Sequence, residues 1–218
     1  MSVTVQSIIQ RARFQLVDEL GVRWTETELM SYINDAQREI VLYKPDAIVR
    51  NEDFSLSAGA KQTLPTSTIR LLSVVKNSHA STERSVRPVS RETLDRFKPN
   101  WHSETQNVEV QHFVFDDLDQ EHFYVYPPND GNGSIEIQYT KHPTTLQPSS
   151  SLEVADAYAN SLLDYVLYRA FAKDGDIPSG AQRSANHFQA FMGALTGKQT
   201  VDSGVSPREF PENPTPGV

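Results

Sequence analysis

DAYANSLLDYVLYRAFAK, residues 156–173, is the stretch that decides the fold. With Ala155 just ahead of it, Tyr158, Ala159, Leu162, Val166 and Ala170 recur at helical spacing, and Leu163, Leu167 and Phe171 widen the same face. Asn160, Asp164 and Arg169 are few polar residues for a helix with one wet side. The segment is therefore expected to be contacted on more than one face, either by the rest of the chain or by a neighbouring copy. Glycine and proline at 175–179 break it, and a last helix is predicted over residues 180–195, with Ala181, Ala185, Phe188, Phe191, Met192 and Leu195 as its apolar line. The two helices make a hairpin.

Working back to the start, residues 3–17 read as a first helix with Val5, Ile8, Ile9, Ala12 and Leu16 inward, ended by Gly21. A second helix opens at Thr25, which can cap the backbone while Glu28 reaches back to it as a capping box and Trp24 staples onto Leu29. Leu29, Ile33, Ala36, Ile40 and Val41 form its stripe, and Pro45 is its limit.

Between these helical ends the period changes. Phe54, Leu56 and Leu64 mark short strands around a turn at Gly59, and residues 69–75 are a β-branched run of strand length. Residues 76–87 are polar and turn-rich. Ser90 caps a short helix with Leu94 and Phe97 inward, stopped by Pro99, and Trp101 beyond it plugs core surface. HFVF at 112–115 and FYVY at 123–126, around the acidic connection 116–121, pair as strands, and Ile135, Ile137 and Tyr139 add a third to give a meander. The fold class is α+β. A helical core consists of an N-terminal helix pair (1–50) and a C-terminal helical hairpin (150–196), with a β-rich insertion (51–149) and an extended or disordered C-terminal arm (197–218). The arm is rich in proline and glycine and has no apolar periodicity, so it cannot bury enough surface to fold by itself. Val205, Phe210 and Val218 are its anchors, with Arg208 among them.

The 218 residues allow one core, or a core plus a satellite. With no cysteine, disulfides, thiolate metal sites and cysteine nucleophiles are all excluded. No leading segment reads as a signal peptide and no run reads as a membrane span, so synthesis in the cytosol and no membrane partner are expected. The formal charge of −8 argues against a nucleic-acid binder, whose affinity rests on Lys and Arg at phosphates. It is compatible with a wall past which DNA slides.

No catalytic signature is present. The connection Asp116, Asp117, Asp119, Glu121 lacks the glycine and spacing of a calcium loop and reads as a solvated hairpin tip. The six histidines fall in no metal-binding spacing, although His112 and His122 could become neighbours across the hairpin. Gly193 to Lys198 has a glycine spacing one short of a phosphate loop and ends a helix instead of opening one. The strip Phe113, Phe115, Phe123, Tyr124 and Tyr126 lacks basic neighbours and reads as mixed core and protein-contact surface, not a platform for nucleic-acid bases. Tyr158, Tyr165, Tyr168 and Arg169 are packing residues first and candidates for subunit contact second. No metal, cofactor or catalytic residue is assigned.

WTETELMSYINDAQREI at 24–40, the short helix ending near Pro99 and Trp101, FVFDDLDQEHFYVYPP at 113–128 and the helix DAYANSLLDYVLYRAFAKD at 156–174 together resemble the head-to-tail adaptor proteins of short-tailed bacteriophages. The resemblance spans about residues 3–195 and rests on the order of elements. It implies a non-enzymatic virion protein at the head-tail junction, forming a homo-oligomeric, dodecameric ring beneath the portal. Its implied partners are the portal ring, a tail nozzle or tail tube protein, further copies of itself, and double-stranded DNA passing through during ejection without sequence-specific binding. It also implies an arm at 197–218 that docks on the portal. Two other readings stand beside it: another ring-forming tail component such as a nozzle or completion protein, and a small phage-encoded metal-dependent hydrolase using His112, His122 and Asp116.

Overall fold

The computed structural model describes residues 3–78, 83–116, 118–173 and 178–205, with the backbone alone for residues 178 and 198–205. The chain is α+β and divides into two compact units, residues 1–44 with 144–218, and residues 45–143.

The first unit is helical: α1 (Val5–Leu16), α2 (Glu26–Tyr43), α4 (Ala159–Ala172) and α5 (Pro178–Val205). In α4, nine residues are buried, from Ala159 and Ser161 to Ala170 and Phe171. α1, α2 and α5 of the same chain cover most of it, so the chain's own packing accounts for its apolar width, while Asn160, Asp164, Tyr168 and Ala172 form a stripe that keeps surface. Thr25 caps α2 through its hydroxyl, which accepts from the Glu28 N–H at 3.3 Å, and Trp24 is buried with its indole N–H donating to the Ala170 carbonyl at 3.1 Å. Two buried amides on α2 hold the segment that leads back from the β-rich region. The Asn34 carbonyl oxygen accepts from the Leu146 N–H at 2.8 Å and that of Gln37 from the Glu153 N–H at 3.0 Å.

Three expectations change here. The first helix ends at Leu16, because Val17 adopts the left-handed conformation (φ 56°) and its N–H reaches back to the Arg13 and Phe14 carbonyls, so the stop comes before Gly21. The face that α5 turns to α4 is Ser184, His187, Phe191 and Leu195, with Ala181 and Ala185 exposed. Polar contacts rotate the helix: the Ser184 hydroxyl donates to the Tyr168 carbonyl at 3.1 Å, and His187 Nδ1 lies 3.0 Å from Asp164 while its ring stacks on Phe171. Lastly, α5 runs on to Val205, so residues 197–205 are helix and not the start of an extended arm. Gly197 sits inside it at a cost of only about 1 kcal/mol relative to alanine, which the continuing backbone hydrogen bonds outweigh. Residues 206–218 lie outside the described residues.

The second unit is a two-sheet sandwich with a short helix. Its strands are β1 (Val49–Ser55), β2 (Gly59–Thr63), β3 (Thr68–Asn77), β4 (Arg87–Pro88), β5 (His112–Phe115), β6 (His122–Asn129) and β7 (Ser134–Lys141), with α3 (Arg91–Phe97) between β4 and β5. One sheet has the order β1-β7-β3 and the other β2-β6-β5-β4. The expected meander is therefore broken: β5 and β6 pair as a hairpin, but β7 crosses to the other sheet. Both edges of β6 are already taken, by β5 on one side and β2 on the other, so β7 has no free partner there. Between the sheets lie Leu71, Val74, Phe113, Phe123, Val125, Ile135, Ile137 and Tyr139. The opposite face of the hairpin, Val114 and Tyr126 with Tyr124, packs with Leu94 and Trp101. Trp101 is fully buried and its indole N–H donates to Asp95 at 2.8 Å. Phe97, expected inward, is exposed, since Trp101 takes the interior place at the end of this seven-residue helix.

Candidate functional site

In the helical unit, the turn between α1 and α2 is built around one carboxylate. Asp18 accepts from the N–H groups of Trp24 (2.8 Å), Val22 (2.9 Å) and Arg23 (3.0 Å), which hold its pKa below the usual aspartate range. Gly21 supplies a positive φ of 67°, and a Cβ there would strike the Arg13 guanidinium. The turn so fixed carries Phe14, Val17, Leu20 and Val22 outward at 76–89% exposure.

The four residues expected at subunit contacts separate. Tyr158 and Tyr165 are buried within the helical unit, so the chain's own packing already covers them. Burial, opposed by the Arg169 hydrogen bond, raises the Tyr165 pKa. Tyr168 and Arg169 keep surface. The Tyr168 ring lies 5.0 Å from that of Phe188 on α5, itself exposed. Arg169 donates to the Tyr165 hydroxyl at 3.2 Å, pairs with Asp35 at 3.5 Å and covers the Tyr32 ring at 5.2 Å. Of the arm residues, Val205 is the last residue of α5, and Arg208, Phe210 and Val218 lie outside the described residues. A groove of about 480 Å³ runs along the start of α2, between Glu26, Met30 and Arg38 on one side and Thr145 to Pro148 on the other.

In the β-rich unit the two candidate metal-binding histidines do not meet. His112 pairs with Tyr126 at one end of the hairpin, and His122 follows the turn at the other. His122 Nδ1 lies 3.0 Å from Asp119, whose pKa is lowered first by that contact, while His112 stacks on Tyr126. Among the described residues no group of three or more His, Asp or Glu is placed to hold a metal ion. Gly193 to Lys198 lies inside α5, far from a helix start. Leu118 stands 95% exposed at the acidic tip. No helix of the described residues is long and apolar enough to cross a membrane.

The family described as SU10 adaptor protein matches residues 3–209, and the chain belongs to that family, hence to the structural adaptor proteins of phages. A search of curated proteins finds no match.

Proposed function

We propose that this chain is a head-to-tail connector: a dodecameric ring seated beneath the portal, joining it to the tail nozzle and enclosing part of the DNA path. The observation that carries the reading is the family match over residues 3–209. The rigid apolar turn Phe14, Val17, Leu20 and Val22 supports it, because an exposed surface of that kind loses its unfavourable hydration when a neighbour covers it. Tyr168 and Arg169, the partly exposed members of their cluster, are proposed to pack against the next copy. The net charge of −8 suits a wall along which DNA moves without adhering.

The portal-docking arm of this reading is taken as residues 206–218, which follow the last described residue of α5, with Arg208, Phe210 and Val218 as its contacts. Mixing the full chain with the portal ring and measuring mass and symmetry, by native mass spectrometry or cryo-electron microscopy, tests the proposal. A ring of many copies stacked on the portal is expected, and deletion of 206–218 should abolish binding while the helical signal is retained. A folded chain that ignores portal but binds the nozzle would move the protein lower in the tail.

A further inference from the structure

The β-rich unit is electrically polar along one hairpin. At the end of β5 where His112 pairs with Tyr126, a pocket of about 400 Å³ is lined by Arg84, Ser85, Arg87, Gln111 and His112. Its backbone is fixed from two sides. The Arg84 carbonyl accepts from the Asn77 backbone N–H at 2.8 Å and from the Asn77 amide at 3.0 Å, and the Arg87 N–H donates to the Gln111 carbonyl at 3.1 Å. In a chain with 28 acidic against 20 Lys and Arg residues, neither guanidinium has an ion pair or hydrogen bond among the described residues. Nearby Lys76, by contrast, is held by Glu83 at 3.0 Å and Glu136 at 3.8 Å. His112 Nδ1 is buried and likewise without a partner among the described residues.

At the other end, beyond the Phe115 and Phe123 pair, the connection to His122 carries Asp116, Asp119 and Glu121 around the exposed Leu118. One Asp116 oxygen accepts from the Leu118 N–H at 3.0 Å, and Asp119 is engaged by His122. The Glu121 carboxylate has no partner among the described residues.

We infer that the arginine pocket of one copy receives the acidic β5–β6 tip of the next. A phosphate backbone would also suit guanidinium groups, but the carboxylates on the same unit and the charge of −8 oppose DNA and favour a carboxylate partner. Because cationic pocket and anionic tip sit at opposite ends of one element, two copies meet head to tail. Each copy can give its tip to one neighbour and take the tip of another, the head-to-tail type of contact that closes a ring. The inference thus deepens the ring reading and rests on it.

Sedimentation velocity on the full chain at low salt tests it, comparing wild type with Arg84→Glu/Arg87→Glu and with Asp116→Lys/Glu121→Lys. Wild type should self-associate with rising concentration, each double variant should associate about tenfold more weakly, as expected for loss of a few exposed ion pairs, and an equimolar mixture of the two variants should regain association. Recovery in the mixture also shows that both variants fold. A wild type that stays monomeric at its solubility limit, undiminished association of the variants, or a mixture that does not recover would overturn the contact. So would a labelled DNA duplex that binds wild type but not the arginine variant while self-association is unchanged. Variants that still form full rings on the portal remove this contact and leave the ring reading standing; a wild type that ignores the portal removes the ring reading itself.

Discussion

Lys173, one residue past α4, donates to Glu28 at 2.8 Å and so ties the end of the central helix to the first turn of α2. The same ammonium donates to the Arg23 carbonyl at 2.9 Å, and the Tyr32 hydroxyl donates to the other Glu28 oxygen at 2.9 Å. Burial first, then the Glu28 carboxylate, push the Tyr32 pKa up to about 12. For Glu28 itself burial acts upward, but the hydrogen bonds from Lys173 and Tyr32 outweigh it, and the net shift is downward from 4.5.

A depressed carboxylate pKa gives a stability contribution that is complete above the unfolded value, near 4.5, and lost as pH falls through the lower folded value. Glu28→Gln should therefore cost about 0.5–1 kcal/mol at neutral pH, a modest figure because both partners are partly exposed. Denaturation of the two proteins across the acid range should give curves that converge below pH 4.5. A gap that stays constant with pH would rule out the ionic origin.

Asn129 is fully buried, with its amide donating to the Asn107 and Val108 carbonyls at 3.0 Å and its oxygen accepting from Gly131 at 2.8 Å and Gly133 at 3.2 Å. Asn129→Ala leaves these groups unpaired and should cost about 2–5 kcal/mol. Gly133→Ala should do comparable damage, since its Cβ would fall 2.5 Å from the Val108 carbonyl oxygen. Urea denaturation reads both.

Val17 is β-branched and left-handed at φ 56°, a conformation that costs about 1–2 kcal/mol relative to one that glycine adopts freely. Val17→Gly should raise stability by about 0.5–1 kcal/mol and, if the turn is a contact, weaken binding to the neighbouring protein. Thermal melts and a portal-binding titration separate the two effects.

Core and surface leucines should behave oppositely. Leu162 is fully buried in α4, and Leu162→Ala should cost about 2–5 kcal/mol. Leu20 is exposed, and Leu20→Ser should shift stability by less than about 0.5 kcal/mol while impairing assembly. Chemical denaturation and ring formation on the portal are the two readouts.

Much of the fold was legible because local rules and tertiary structure agreed. Thr25 and Ser90 cap the helices expected of them, the alternation of Ile135, Ile137 and Tyr139 with Glu136 and Gln138 matches their burial, and Trp101 fills the core. The candidate contact surfaces were less so. Leu20 and Val22 look in sequence like any other apolar residues, and the Asp18 hub that turns them outward depends on backbone N–H groups, which leave no mark in composition.

The sequence by itself determined the helices, most of the strands and the absence of thiol chemistry, since periodicity, capping and residue type act over a few neighbouring positions. Tertiary structure alone decided that β7 leaves the hairpin for the other sheet, that α5 presents Ser184 and His187 to α4, and that His112 and His122 stand at opposite ends of one hairpin. Each of these depends on which long-range partner has already filled an edge or a face, and that competition is settled between segments distant in the chain.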